Sequence, residues 1–238
     1  DWAWAGGLNA LFTALIHGRA IVAARSAKFD PERAIDLMAR TGVRNTFIPP
    51  TALRFMKALS PAVLARSPRL RSLMSGGEAL GSDMIAWGRE TFGVTISEGY
   101  GLSEAFIPIG NCPSLFPVQA GAMGRGLPGH TLAVLDEAGR PLPDGAKGEL
   151  ALARPNPLLF LEYWRQPDAT AAKFTGDWCR MGDLVTRDGD GTFWFHGRND
   201  DIIKSSGYRI GPQEVEDCLV QHPAVQLAGV IGAPDAVR

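Results

Sequence analysis

Charge of one sign is what this 238-residue chain lacks most plainly: 24 Lys and Arg stand against 25 Asp and Glu, a formal net charge of −1. No global basic field draws nucleic acid or an anionic membrane surface. No apolar run approaches the roughly 20 residues a bilayer span needs. The stretch Trp2 to Ile16 is apolar, but Gly6, Gly7 and Asn9 interrupt it and it has no basic leader. It is predicted to be a buried helix rather than a signal peptide. Cysteine is scarce too: Cys112, Cys179 and Cys218 are odd in number and far apart. That argues against a disulfide framework or a zinc site and suits a reducing cytoplasm. The three read as small buried hydrophobes. His17, His130, His196 and His222 show no metal-ligand spacing.

What is present divides into two textures. Up to about residue 112, helix and strand patterns alternate. Strands are expected at 19–25 (RAIVAAR), in 44–50 (RNTFIPP), at the start of 71–80 (RSLMSGGEAL) and at 94–97 (VTIS). Helices are expected over 30–42, with Asp30 as N-cap, Pro31 in the first turn and Gly42 past the end, and over 81–93, with Ser82 as cap and Gly93 as stop. Alternation of this kind implies a largely parallel sheet covered on both faces. After residue 112, Pro and Gly become dense and short alternating runs appear at 131–136, 148–154 and 191–197. These imply a small antiparallel barrel or sandwich. A charged joint at Arg198 to Asp201 leads into a hairpin and a helix opening near Pro212, and Leu227 to Ile231 looks like a strand. The chain opens on Asp1 and stops soon after that run, and is read as an internal piece of a longer protein.

Two glycine-bearing loops follow strands in the first half, SGGEAL (75–80) and SEGYGLSE (97–104). In open α/β sheets, ligands sit outside the carboxyl ends of strands. Gly76 and Gly77 let backbone approach a flat ligand, and Tyr100 offers a ring face for stacking. Ser103 can donate to a phosphoryl oxygen. Glu104 beside a phosphate makes sense with a divalent cation between them. Further on, Asp183 sits in the glycine turn of RMGDL, where a carboxylate can accept from both hydroxyls of a ribose. GRNDDIIKSSGYRIGPQEVE (197–216) gathers Arg198, Asp200, Asp201, Lys204 and Arg209 around Gly207. DGDG (188–191) is read as a hairpin turn, because the glycine and final glutamate of a calcium loop are missing.

The ordered set SGGEAL, GYGLSE, GAMGRGLPG, GEL, RMGDL and GRNDDIIKSSGYRIGPQEVE resembles the adenylate-forming superfamily of acyl-CoA synthetases, luciferases and peptide-synthetase adenylation domains. The resemblance covers essentially the whole chain. It implies an α/β fold in three parts. Residues 1–112 would belong to the layered, mostly parallel large domain. Residues 113–198 would form its small antiparallel β-barrel subdomain, and 199–238 the hinge and start of a small α+β C-terminal domain. It implies ATP, Mg and CoA as cofactors and a carboxylic acid as substrate. The acid attacks the α-phosphate to give an acyl-adenylate and pyrophosphate, and a thiol then displaces AMP. No nucleic acid partner or membrane span is implied, and oligomeric state is not legible.

The resemblance also assigns residues. Gly76, Gly77, Glu78 and Ala79 match the loop along adenine and Tyr100 the aromatic that stacks on it; Gly99 and Gly101 flank that ring, and Glu98 has two readings, a polar residue close to adenine or a buttress of the loop. Ser103 matches the hydroxyl near the α-phosphate and Glu104 the magnesium ligand. Asp183 and Arg198 match the ribose ligands, and Asp200 the hinge. Lys204, Ser206, Gly207 and Arg209 lie on the segment that the family swings towards adenylate and pantetheine. Trp4, Ala5, Gly6 and Gly101 would line the acyl pocket. Ala5 carries no charge to pair with an α-ammonium, and Gly101 does not close the pocket as a bulky residue would. A medium-chain or aromatic acid therefore fits better than acetate or an amino acid. The family's Ser/Thr/Gly-rich phosphate loop and its late catalytic lysine do not occur in residues 1–238. Efficient adenylation by this segment alone is not expected. The rival expectations are a non-catalytic nucleotide-binding module and a peptide-synthetase adenylation domain.

Overall fold

Local chemistry sets most element boundaries. The computed structural model describes residues 5–78, 80–199, 201–205, 208–222, 224–225 and 228–233. After α1 (Ala5–Ile16) comes α2 (Pro31–Thr41), opened by Asp30 accepting the Arg33 N–H at 3.0 Å and closed by Gly42 at φ 66°. Then follow β1 (Asn45–Phe47), α3 (Pro50–Lys57), α4 (Pro61–Leu64), β2 (Ser72–Gly76) and α5 (Asp83–Phe92). Gly93, at φ 74°, stops α5 in the left-handed conformation that glycine adopts without strain. Ser82 stands at the head of α5 but makes no side-chain cap bond. Next come β3 (Ser97–Leu102), β4 (Ala105–Gly110) and β5 (Gly124–Gly126).

The chain divides into two compact units, Asp1–Ser103 with Ile109–Gly124, and Glu104–Pro108 with Arg125–Arg238. In the first, β1, β2 and β3 pair in parallel, with Asn45 opposite Ser72, Ser75 opposite Glu98 and Gly76 opposite Gly99. Ile35 from α2, Leu53 from α3, Leu73 from β2, Phe92 from α5 and Ile96 are fully buried in one core. Connecting helices cover such a sheet because parallel strands need crossovers.

The second unit is antiparallel. It contains β6 (Leu132–Leu135), β7 (Gly148–Ala153), α6 (Pro167–Ala172), β8 (Phe174–Thr175), β9 (Trp178–Arg187) and β10 (Thr192–Arg198). The strand order is β10-β9-β7-β6, with β8 on β9. Its last elements are the hairpin of β11 (Ile203–Ser205) and β12 (Tyr208–Ile210), followed by α7 (Pro212–Leu219). Together the elements make a mixed α/β fold.

Several sequence expectations are corrected. Residues 19–25 form no strand: they are mostly exposed, and no neighbour among the described residues supplies a ladder to satisfy their backbone. The strand expected at 94–97 begins at Ser97 and runs to Leu102, so Tyr100 lies within it rather than in a loop after it. The α1 segment is helical but not buried, with Phe12 55% and Ile16 79% exposed. Of 227–231, residues 228–231 carry no strand. Only Cys179 of the three cysteines is buried; Cys218 is exposed.

Candidate functional site

In the first unit, the register of β2 and β3 brings the two glycine-bearing motifs side by side. Gly76 and Gly99 are partners, and a Cβ on Gly76 would stand 2.4 Å from the Gly99 carbonyl oxygen. Glycine at 76 is thus required by its neighbour strand, whatever binds beyond it. Gly77 follows at φ 97°, a conformation L side chains rarely adopt. Glu78 turns towards α3: its carboxylate accepts from Thr51 Oγ1 at 2.8 and 2.9 Å and pairs with Arg54 Nη1 at 3.2 Å. Ala79 lies outside the described residues.

Glu98 is half-buried beside this turn. Its carboxylate accepts the Leu80 N–H at 3.2 Å, and its carbonyl accepts the Asn111 N–H at 2.7 Å. Burial pushes its pKa up to about 7, partly offset by the Leu80 bond. Its role is therefore at least to buttress the β2–α5 turn. Gly99 is buried, Tyr100 half-buried, and Gly101 and Ser103 are exposed on or just after the same strand.

In the second unit, Glu104 is held twice. The Tyr163 hydroxyl donates to Glu104 Oε1, and the Phe160 N–H donates to the Glu104 carbonyl at 2.8 Å. Burial and the Glu104 carboxylate raise the Tyr163 phenol to about 12, so it remains a donor at neutral pH. No sequence motif pointed to Tyr163, which lies 59 residues from Glu104.

Asp183 sits on the buried face of β9, in line with Cys179, Met181 and Val185. A carboxylate on that face needs polar partners. It lies in the strand, not in a turn, but the glycine signal was real. Gly182 takes φ 82°, and β9 carries extra residues against β7 between Arg180 and Leu184. On the other side β10 is irregular between Phe195 and Arg198, with Gly197 at φ 115°. Arg198 thereby becomes the register partner of Asp183. Such bulges re-aim side chains and are frequent beside functional sites.

Glu149 fixes this irregularity. Its carboxylate accepts from Arg180 Nη1 at 2.5 Å and from the Gly182 N–H at 3.1 Å. Arg180 also donates to Thr175 Oγ1 at 2.8 Å and to the carbonyls of Asp136 and Glu137. The GEL motif holding Glu149 was visible in the sequence; its function as an anchor was not.

His196 is engaged with Thr186 Oγ1 at 3.0 Å, and burial, with Lys147 nearby, lowers its pKa. Asp188 closes the DGDG turn by accepting from the N–H groups of Asp190 and Thr192 and from Trp194 Nε1. Among the described residues no group of three His, Cys, Asp or Glu side chains gathers as a metal site. No helix among them is long and apolar enough to cross a membrane. Gly6 lies in the first turn of α1, where only the backbone of Ala5 is described; Trp4, Asp200, Ser206 and Gly207 lie outside the described residues. Lys204 and Arg209 are backbone register partners across β11 and β12, and their side chains also lie outside.

Comparison with known proteins places this arrangement in a family. The chain is 36% identical over 242 residues to the mitochondrial acyl-coenzyme A synthetase ACSM5 of Rattus norvegicus, covering 100% of this chain and 41% of that protein. It is 33% identical over 237 residues to the uncharacterized acyl-CoA ligase YtcI of Bacillus subtilis, covering 100% of this chain and 44% of the relative. The chain thus spans less than half the length of these relatives. The solved structure of ATP-bound MatB from Rhodopseudomonas palustris superimposes with a TM-score of 0.87 at 29% identity, over 99% of this chain and 46% of that one. A family model described as AMP-binding enzyme matches residues 1–164, and this chain belongs to that adenylate-forming family.

Proposed function

We propose that the protein to which this chain belongs is an AMP-forming acid–thiol ligase. It activates a carboxylic acid with ATP and passes the acyl group to CoA. In the first step an acid oxygen bonds to the α-phosphorus while the α–β phosphoanhydride breaks and pyrophosphate leaves. In the second the thiol, having lost its proton, bonds to the acyl carbon, and the acyl–phosphate bond breaks to release AMP. Catalysis of the first step is chiefly positioning and charge neutralisation.

The observation that carries the reading is Asp183. This carboxylate lies on the buried face of β9 as the register partner of Arg198, beside the bulge that Glu149 anchors through the Gly182 N–H. It suits the paired hydroxyls of a ribose. Gly76, Gly77 and Glu78, with Tyr100, are assigned to adenine, and Ser103 to the α-phosphate. Glu104 is assigned to Mg, because a firmly held carboxylate joined by phosphate oxygens is a normal magnesium ligand set. Mg would neutralise charge developing on the phosphates. Lys204, Ser206, Gly207 and Arg209 are assigned to the segment that serves the thiol step, with Asp200 as its hinge. Ala5, Gly6 and Gly101 favour a medium-chain or aromatic acid. A cytoplasmic location fits the free thiols.

The test is an acid panel with ATP, Mg and CoA on the complete protein, following pyrophosphate exchange and AMP release. Exchange with one acid class, and AMP release that requires CoA, is expected. ATP or AMP binding without turnover for any acid would overturn the ligase reading in favour of a nucleotide-binding module. Turnover only with amino acids and a carrier domain would favour a peptide-synthetase domain.

A further inference from the structure

Glu104 is gripped by a segment to which no motif assigns a role. Tyr163 Oη donates to Glu104 Oε1, and the Phe160 N–H donates to the Glu104 carbonyl at 2.8 Å. The gripping segment is itself braced. The Tyr163 N–H donates to Thr170 Oγ1 at 2.9 Å, and that hydroxyl donates to the Gln166 carbonyl at 2.9 Å. Thr170 lies in α6, so the Tyr163 backbone is tied to a helix. The Phe160 ring lies 4.8 Å from the Tyr163 ring and stacks on Phe174 of β8 at 6.0 Å. The contact between residues 59 apart is therefore carried by α6, β8 and an aromatic row rather than by a loose loop.

We propose that Tyr163 is a positioning residue for the divalent cation, acting through Glu104. The inference rests on the reading of Glu104 as the cation's ligand. A glutamate has three side-chain torsions and loses binding strength if it must be ordered when the cation arrives. A phenol that engages one carboxylate oxygen removes that freedom in advance and leaves the other oxygen for the cation. Outer-shell partners of this kind typically change metal affinity about 10- to 100-fold when removed. Thr170 and Phe160 keep the phenol itself from wandering.

The variants are Tyr163→Phe, Glu104→Gln and the double substitution in the complete protein. Manganese binding in the presence of a non-hydrolysable ATP analogue is read by electron paramagnetic resonance, alongside thermal melting. Tyr163→Phe should weaken manganese binding roughly 10-fold, leave analogue binding without metal unchanged, and shift melting little. The double variant should bind manganese no more weakly than Glu104→Gln alone, since the phenol acts only through that carboxylate. Manganese affinity unchanged in Tyr163→Phe, with lowered melting, would make the contact merely structural and overturn the proposal. Manganese affinity unchanged in Glu104→Gln would instead overturn the reading of Glu104 itself. If Tyr163→Phe does not fold, Thr170→Val serves in its place: weaker manganese binding supports the proposal, and unchanged binding overturns it.

Discussion

Asp183 and Arg198 are register partners across β9 and β10 at a point where both strands depart from regular pairing. Gly182 and Gly197, both at positive φ, make that departure possible. If the pair serves the ribose, Asp183→Ala in the complete protein should lower kcat/KM for ATP by about 1.5–3 kcal/mol, roughly 10- to 150-fold. The fall should be smaller for Asp183→Asn, which keeps an acceptor. Steady-state kinetics with ATP varied checks this, and unchanged ATP kinetics in both variants would remove the ribose assignment.

Glu149 and Arg180 form a largely buried ion pair, with side chains 11% and 18% exposed. Removing one partner strands the other charge. Glu149→Ala should cost about 3–5 kcal/mol of stability and release the Gly182 N–H that holds the bulge. Denaturant unfolding measures the loss. Because Arg180 is then the stranded group, Glu149→Ala with Arg180→Met should recover part of it.

Glu98 gives the protein a pH-dependent stability with a defined sign. Its pKa is raised from 4.5 in the unfolded chain to about 7 in the fold by burial. The folded state therefore holds this proton more tightly than the unfolded state does. The stabilisation is fully present below pH 4.5, declines as pH rises, and is lost once pH passes about 7. Its size is about 3 kcal/mol. Glu98→Gln keeps an acceptor for the Leu80 N–H but cannot ionise. Its stability relative to the parent should thus rise by that amount between pH 4.5 and pH 8, as read from unfolding curves across the range.

Gly76→Ala separates a structural glycine from a ligand-facing one. The new Cβ meets the Gly99 carbonyl at 2.4 Å, and neither backbone can move without opening the β2–β3 ladder. A loss of about 1–3 kcal/mol is expected from overpacking of this kind. Denaturation without nucleotide should already show it.

Asp200→Pro addresses the proposed swing of the segment after residue 199. A stiffened hinge should spare pyrophosphate exchange and slow thioester formation. Equal loss of both half-reactions would count against a hinge there.

Much of the fold was legible because its signals are local. Asp30, Pro31 and Gly42 fix α2 by cap chemistry that needs no distant partner. Gly93 ends α5 in the same way. Strand extents were less legible, since a strand is defined by the neighbour that completes its ladder. The run at 19–25 has β-branched residues but no ladder, whereas SEGYGL has two glycines and pairs with β2. The α1 segment read as core because an apolar composition reports the residues, not what covers them.

By itself the sequence determined the order of the motifs that match the family and the change from alternating α/β to antiparallel texture. These depend on neighbours a few positions away. Only the tertiary structure decided how three motif positions are held: the bulge at Gly182, next to Asp183, by Glu149, Glu104 by Tyr163, and Glu98 by Leu80. Those bonds join residues between 18 and 59 positions apart. Such contacts exist only once the sheets have set their registers, and no local pattern in the chain encodes them.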